Sequence, residues 1–433
     1  MNQGRRGWVV VAAVLGTTVA SPAYALQPLE AFIASSKQNN PDNKEASAIE
    51  RQRDAQRDVA TAAYLPSFTA QGVYTRNQYE AAFALPGGPT FVITPLNGLD
   101  AYFTLTVPIV NVGAWEQRRA ATANKEAAAA TRANTQVTVE SNVTQAYYQL
   151  LGSEAVLFAA KKSLEAADGN LRIVRDRKEL GTASELDLQR ATADLARAQQ
   201  NVATGDQGVI NARRSLESVA RLTPEPATRE NYREDDLRDE PPLNAWLGRP
   251  SDDLVAVRPA LLAVDAAEKT RSATRAAWLP TISATGQEHV TNAGGFTGNT
   301  MIYTLQATAN WRLDFSLGPN VAAQTAAVSA AEAREDKARR AAEDAIYQAW
   351  YEVRAEIEKA RGARAELKAA ALAQDLARDR YQAGVATQLE VVQAQRDYFS
   401  AGVSQAQADF NLQFARAQLR LASKRTGNGE SSR

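Results

Sequence analysis

Leu180-Gly181-Thr182-Ala183-Ser184 interrupts a helical pattern that otherwise runs from about Val112 to Leu222. A second helical run, from about Asn320 to Lys424, is interrupted at Ala383-Gly384-Val385-Ala386-Thr387. Each run predicts a long ascending helix, a tight turn and a shorter descending helix. At a rise of about 1.5 Å per residue, each ascending helix would be on the order of 100 Å long. Helices of this length indicate an extended structure, because an ordinary compact domain needs only short ones.

The two helical runs are copies of one another, separated by 203 residues. Arg175-Asp176-Arg177 aligns with Arg378-Asp379-Arg380, and Gly181 aligns with Gly384. Leu186, Asp187 and Asp194 align with Leu389, Glu390 and Asp397 without a gap. Matches spread over this distance indicate an internal duplication, so the fold is expected to contain the same unit twice.

The composition excludes several classes of function. The 433 residues carry 49 basic and 49 acidic side chains, so no net charge attracts the chain to nucleic acid. The absence of cysteine excludes disulfides, thiolate catalysis and a lipid-anchoring cysteine. Hydrophobic residues make up 45% but aromatic residues only 7%, and the many alanines favour close helix-on-helix packing over one thick core.

The N-terminus has the pattern of a secretory signal peptide, predicted to span residues 1–25. Arg5 and Arg6 precede an apolar run from Trp8 to about Ala20, and Ala23-Tyr24-Ala25 is typical of a cleavage site. After Ala25 no apolar run reaches the roughly 18 residues that a transmembrane helix needs. The sequence therefore predicts export from the cytoplasm.

Two β-hairpins are predicted, at 65–110 and 279–313. Phe68, Ala70, Gly72 and Tyr74 alternate with polar residues, and the alternation resumes over Leu99–Ile109 after a loop containing Leu85-Pro86-Gly87-Gly88-Pro89. The second copy has a weaker strand over Ile282–Gly286 and another over Tyr303–Leu313. Four strands cannot close a barrel, and lipid does not tolerate an open sheet edge, so several chains would have to contribute. The alternative is a small sheet with one solvated face.

The domain organisation follows from these elements. A signal peptide (1–25) precedes a first repeat (26–222) that contains a helix, a β-hairpin and the helical hairpin 112–222. A connector (223–250), rich in proline and charge, leads to a second repeat (251–425) with the helical hairpin 319–425. A tail (426–433) is predicted to be disordered. Leucines and valines seven residues apart from Val143 to Leu171 predict coiled-coil packing of the first ascending helix.

This order of elements resembles the outer-membrane efflux channels of the TolC family. The most specific marks are Arg258-Pro259-Ala260-Leu261, Arg380-Tyr381-Gln382-Ala383-Gly384, and the Leu-Pro pairs Leu65-Pro66 and Leu279-Pro280 that precede the hairpins. The resemblance covers nearly the whole chain after the signal peptide. It implies a mostly α-helical fold with a β-barrel part, in which duplicated helical hairpins from three chains form an α-barrel.

In such a homotrimer the four strands of each chain would contribute to a 12-stranded transmembrane β-barrel. The resemblance implies a location in the outer membrane, extending into the periplasm. The implied function is a passive exit duct of a tripartite efflux or type I secretion system. Its partners would be a periplasmic adaptor (membrane fusion protein), an inner-membrane pump of the RND or ABC type and outer-membrane lipid. Neither a cofactor nor nucleic acid is expected.

The resemblance also assigns residues at the helical turns. Asp187 and Tyr381 match positions that hold the family prototype closed, and Glu390 matches an acidic residue at the constriction. Gln393 occupies a gate position where a second acidic residue is expected, and Ala386 stands where an arginine is expected. The adaptor is expected to contact the turns, which are Gly181, Thr182, Ala183, Gly384, Val385 and Ala386.

Simpler roles compete with these assignments. Asp187 and Glu390 lie in the first turns of helices, where acidic side chains commonly stabilise the N-terminus. Tyr381 could be a packing residue. For Glu390 a cation-attracting ring of three copies is the favoured interpretation.

Enzymatic activity finds no support in the sequence, since the single histidine, His289, lies in a predicted hairpin and no catalytic motif is present. The alternatives to a channel are a periplasmic coiled-coil adaptor and a structural spacer. An adaptor is disfavoured because such proteins carry one helical hairpin rather than two symmetric copies.

Overall fold

A computed structural model describes residues 26–84, 86–88, 90–225, 236–248, 250–312 and 314–426. The predicted signal peptide (1–25) lies outside the described residues, as do 427–433 of the predicted disordered tail. Thr426, the first residue of the predicted tail, is described, and its backbone N–H donates to the carbonyl oxygen of Asp253 at 2.8 Å. This bond ties the end of the second repeat to its beginning.

The predicted fold class is confirmed, because two very long helices dominate the chain. The described residues form α1 (Leu29–Asn39), α2 (Pro41–Ala62), α3 (Val112–Glu179), α4 (Glu185–Ala220), α5 (Leu243–Leu247), α6 (Arg258–Ala276), α7 (Leu317–Gln382) and α8 (Gln388–Ala422). The ascending helices α3 and α7 have 68 and 66 residues, and the descending helices α4 and α8 have 36 and 35. None of these described helices is apolar over a stretch long enough to cross a bilayer.

Four of the strands form one antiparallel sheet. The strands are β1 (Ser67–Arg76), β2 (Ala81–Ala84), β3 (Thr90–Thr94), β4 (Asn97–Val110), β5 (Thr281–Thr291) and β6 (Met301–Asn310). The order in the main sheet is β1-β4-β5-β6. The hairpins of the two repeats are thus joined side by side through the pairing of β4 with β5. Within the described residues, β1 and β6 are the sheet edges.

The structure differs from the sequence-based expectations in several elements. The loop after β1 contains the short β2–β3 hairpin, whose four or five residues are too few to give a clear alternation. The weak strand predicted to end at Gly286 continues as β5 to Thr291, because pairing with both neighbours outweighs the poor propensity of its polar residues. The last strand ends at Asn310, and Leu313 is not described.

Two further differences concern helices. α6 begins at Arg258, seven residues inside the predicted second repeat, since Pro259 fixes the backbone angle of the first turn and a short 3-10 turn precedes it. The connector contains the short helix α5, and its described part lies against the second repeat. There the indole nitrogen of Trp350 donates to the carbonyl oxygen of Pro241 at 2.8 Å.

The internal duplication is visible in the two main hydrophobic cores. In the first core Val143, Leu150, Val209 and Leu216 pack between α3 and α4, with Phe32 from α1. In the second core Ile346, Val353, Leu412 and Leu419 occupy the positions 203 residues further along. The predicted heptad seam is fully buried at Val143 and Leu150 but only half-buried at Leu157, which borders a cavity between the two hairpins. Each repeat therefore closes its own core.

Both helical hairpins turn through the same backbone motif. Thr182 N–H donates to Arg177 O at 2.8 Å and Gly181 N–H to Lys178 O at 3.0 Å. In the second copy Val385 N–H donates to Arg380 O and Gly384 N–H to Tyr381 O, both at 3.0 Å. These are Schellman motifs, which require a left-handed residue after the helix. Gly181 and Gly384 supply it with φ angles of 76° and 77°.

We predict that Gly384→Ala destabilises the α7–α8 turn by about 1–2 kcal/mol, because a Cβ atom is strained in the left-handed conformation. Hydrogen exchange at the amides of the turn should become faster. The matched control is Gly362→Ala in the middle of α7, where an added Cβ meets no atom within 4 Å. This control should stabilise the helix by roughly 0.5–1 kcal/mol. Unchanged exchange in Gly384→Ala would contradict the prediction.

Candidate functional site

The two turns lie together at one end of the helical hairpins, and a small apolar core joins them. Leu171 and Val174 of α3, Ala191 of α4, and Tyr381 and Val391 of the second hairpin form this core. The predicted gate residue Tyr381 is only 7% exposed, which agrees with a packing role. The end of the molecule is thus built from both repeats.

Arg177 connects the two hairpins at this end. Its Nη2 atom donates to the carbonyl oxygen of Gln382 at 2.6 Å, and its guanidinium carbon lies 4.6 Å from the centre of the Tyr381 ring. Burial raises the pKa of the Tyr381 hydroxyl, Arg177 opposes that shift, and the Asp187 carboxylate adds to it. Arg177, Tyr381 and Asp187 therefore form one electrostatic cluster.

The predicted gate acids both form capping boxes. Asp187 N–H donates to Ser184 Oγ at 3.1 Å, while Asp187 Oδ2 accepts from Ser184 N–H at 3.2 Å and from its hydroxyl at 2.7 Å. Glu390 N–H donates to Thr387 Oγ1 at 3.3 Å, and Glu390 Oε1 accepts from the Thr387 hydroxyl at 3.1 Å. Both acids thus stabilise helix N-termini within their own hairpin, which was the simpler role considered from the sequence.

The other predicted site residues lie at the surface of the turns. Gly181, Thr182, Gly384, Val385 and Gln393 are exposed, whereas Ala183 and Ala386 are half-buried against the small core. Large apolar side chains are also exposed at the turns, including Leu180 at 78% and Val385 at 67%. Leu186 and Leu389, which are equivalent in the two copies, are about half exposed. This end therefore presents an apolar surface to its surroundings.

Further contacts fix the position of α8 against the first hairpin. Arg396 Nε donates to Oδ1 of the buried Asp194 at 3.2 Å, which links α8 to α4. Gln395 Nε2 donates to the carbonyl oxygen of Ala166 in α3 at 3.4 Å. Gln388, also in this region, has a fully buried amide without a hydrogen-bond partner.

From the sequence, Arg177 belongs to a triplet that is either solvated helix surface or a contact for the adaptor, and no contact with Tyr381 is predicted. The sequence feature that pointed to Arg177 was the duplicated Arg-Asp-Arg triplet beside both turns, in which Arg177 and Arg380 are equivalent. The triplet alone could not show which arginine reaches the other hairpin, since charged residues near a helix end are usually solvated. Only the tertiary arrangement places Arg177 on Tyr381.

The main sheet has one largely apolar face, on which the register also places Glu288 opposite Phe103 and Tyr303, and one polar face. The register places Phe68, Phe103, Leu105 and Leu305 on one face, where Phe68 is 68% and Leu305 is 79% exposed. Trp278 and Trp311 are exposed at the end of the sheet that adjoins the helices, where the Trp311 indole N–H donates to Trp278 O at 3.0 Å. A broad apolar face is thus left uncovered in the described chain.

The opposite face of the sheet carries a polar network. His289 Nε2 lies 2.7 Å from Asp100 Oδ1, and the imidazole stacks on Tyr102 with ring centres 4.4 Å apart. Gln287 Nε2 donates to Thr104 Oγ1 at 3.2 Å. Among the described residues no group of three or more acidic or histidine side chains is arranged to hold a metal ion.

Comparison with known proteins identifies the family. The model of the family described as "Outer membrane efflux protein" matches residues 32–220 and 255–423. The outer membrane protein OprJ of Pseudomonas aeruginosa is 30% identical over 298 residues, which are 64% of this chain and 58% of OprJ. The toluene efflux pump outer membrane protein TtgF of Pseudomonas putida is 30% identical over 174 residues, 39% of this chain and 35% of TtgF. The matches therefore span less than two thirds of these relatives.

Among solved structures, the outer membrane channel CmeC of Campylobacter jejuni has a TM-score of 0.77 at 16% sequence identity. The alignment covers 98% of this chain and 93% of CmeC. Because the sequence identity is low, this structural similarity is evidence for the fold alone. The match of the family model to both repeats places this chain in the outer membrane efflux protein family.

Proposed function

We propose that three copies of this chain form the exit duct of a tripartite export system in the outer membrane. The observation that carries the proposal is the uncovered apolar face of a sheet whose edges, β1 and β6, have no partner in the described chain. At roughly 25 cal/mol per Å², exposing such a face to water is unfavourable, whereas lipid accommodates it. Pairing β6 of one copy with β1 of the next satisfies both edges and closes a barrel.

In this arrangement the polar face of the sheet lines the interior of the barrel, and the helical hairpins extend into the periplasm. The names of OprJ and TtgF, an outer membrane protein and the outer membrane protein of a toluene efflux pump, support a role in export. The chain is then a passive duct. A periplasmic adaptor contacts the turns, and an inner-membrane pump supplies the energy.

The alternatives fit less well. A periplasmic adaptor or spacer would have to keep the apolar sheet face, including Phe68 and Leu305, in contact with water.

The exposed Leu180 and Val385 at the turns suit an adaptor-contact surface, because they lie at the end of the hairpins farthest from the sheet.

We predict that the purified full-length protein is a trimer that fractionates with outer membranes and conducts ions in planar lipid bilayers. The trimer should survive in detergent on an unheated gel and dissociate on boiling, because its edge strands are paired between chains. A monomer recovered from the soluble periplasmic fraction, without conductance, would contradict the proposed function.

The contacts between the turns support a gate held by Arg177 on Gln382 and Tyr381, with Asp187 capping its own helix beside them. To widen the opening, the second hairpin must move away from the first, and this movement breaks the contacts of Arg177 with Tyr381 and Gln382. A hydrogen bond to a charged group contributes about 1.5–3 kcal/mol, and a cation–π contact about 0.5–2 kcal/mol. Since Ala386 replaces the arginine expected in the family, Arg177 is the cation that holds this end closed.

We predict that Arg177→Ala raises the open probability of single channels by roughly 30-fold. This corresponds to the loss of about 2 kcal/mol of free energy that stabilises the closed state. Arg177→Lys should give an intermediate increase, because lysine lacks the planar guanidinium that stacks on the ring. Arg172→Ala is the control, since among the described residues Arg172 forms its ion pair with Asp168 of the same helix, at 2.5 Å. An equal effect of the two alanine variants would show that Arg177 does not hold the gate.

A second prediction concerns Glu390, which in the trimer contributes one carboxylate to a ring of three. Glu390→Gln should lower the preference for cations in bilayer recordings, because glutamine removes the charge while still fitting a capping box. Glu185→Gln is the control at the same end, where the carboxylate of Glu185 is paired with Lys178. If Glu390→Gln left the selectivity unchanged, Glu390 would have only its capping role.

A further inference from the structure

A cavity of about 470 Å³ lies between the two helical hairpins, well away from the turns. It is bordered by α3, α4, α7 and α8. Phe158, which lines the cavity, precedes the turn at Gly181 by 23 residues of helix and loop, which corresponds to roughly 35 Å. Cavities that hold small organic ligands in proteins are typically about 300–1,000 Å³, so this one has the size of a ligand site.

Four aromatic rings line this cavity, and the internal duplication shows that the helical fold does not require them. The rings are Phe158, Tyr398, Phe399 and Phe410. The equivalent positions in the other copy hold Arg361, Leu195, Ala196 and Gln207. The same hairpin thus folds with small or polar side chains at these positions. The aromatic lining is a property of this one cavity.

Close helix approach holds the walls of the cavity in place. A Cβ atom at Gly205 would lie 3.1 Å from the Leu157 Cα atom, and one at Gly152 would lie 3.2 Å from the Phe410 ring. Gly402 also lines the cavity, and an added Cβ there would make ordinary contacts with Ala159 at 3.8 Å and with Leu367 at 3.9 Å. The close approaches at Gly152 and Gly205 therefore leave no space for a larger side chain at either position, whereas Gly402 accepts a Cβ atom at ordinary distances.

The charges at the cavity favour an anionic ligand. Glu154 is already paired with Arg213 at 2.9 Å, and while burial raises the pKa of Glu154, the hydrogen bond from Arg213 opposes the shift. Lys162 is paired with Glu165 at 2.9 Å. Lys161 borders the cavity, is exposed, and forms no ion pair within the described part of the chain. The uncompensated charge at the opening is thus one ammonium group.

We propose that this cavity is a binding site for an amphipathic organic anion, such as a fatty acid. The apolar body of the ligand lies among the four rings, and its acid group pairs with Lys161. Binding requires only the fold of one chain, so this site is independent of the proposed channel function.

The test uses the full-length protein in lipid nanodiscs and a fluorescent fatty acid that carries a dansyl group. We expect a saturable signal of one site per chain. Dodecanoate should displace the probe, whereas dodecyltrimethylammonium, with the same chain length and the opposite charge, should not. Lys161→Glu should weaken binding by about tenfold or more, which corresponds to about 1.4 kcal/mol. Lys337→Glu, a charge reversal on the exposed surface of α7, should leave it unchanged.

A second pair of variants tests the volume of the cavity. Gly402→Leu should abolish the saturable signal by filling the space, whereas Gly402→Ala, whose Cβ makes ordinary contacts, should retain it. Gel mobility and circular dichroism would verify that the variants fold. The proposal is overturned if binding is not saturable, if the cationic amphiphile competes equally well, or if Gly402→Leu binds as the natural sequence does.

Discussion

The outer edges of β1 and β6 expose backbone N–H and C=O groups that no other described element of this chain satisfies. In water such edges can bond to solvent, but beside an apolar sheet face that favours lipid they need another strand. The pairing of β4 with β5 has already joined the two hairpins, so within the described main sheet the outer edges of β1 and β6 are the ones left unpaired. A closed ring of chains satisfies them, and the proposed trimer follows from this requirement. The positions of the helical hairpins then follow from those of the strands.

The duplication gives the molecule two similar halves, and the differences between the halves locate its specific features. The hydrophobic cores around Leu150 and Val353 are equivalent and serve stability. Arg177 and Arg380 are also equivalent in sequence, but Arg177 is the one that stacks on a tyrosine of the other hairpin. The aromatic cavity likewise has no aromatic counterpart in the other copy. Features present in one half alone are therefore the candidates for function.

At the turns, the same polar groups contribute to folding and to the proposed gate. Asp187 and Glu390 cap the descending helices, which fixes their carboxylates in space before any other chain is present. A charge held by its own helix can contribute to a ring without an additional ordering cost when chains assemble. The exposed apolar side chains beside them leave a surface for a partner, while Tyr381 and Arg177 hold the two hairpins together.

The sequence by itself determined the local elements: the period of 3.6 predicted the long helices, the period of 2 predicted both hairpins, and the spacing of Gly181 and Gly384 predicted both turns. These features depend on neighbouring residues, so they are readable along the chain. The tertiary structure alone decided the contact of Arg177 with Tyr381, the β4–β5 joint, the β2–β3 hairpin, the extension of β5 to Thr291 and the cavity. The first two and the cavity depend on residues about 200 positions apart. Local periodicity carries no information on which side chains of two distant helices or strands meet, since that depends on how the copies pack against each other.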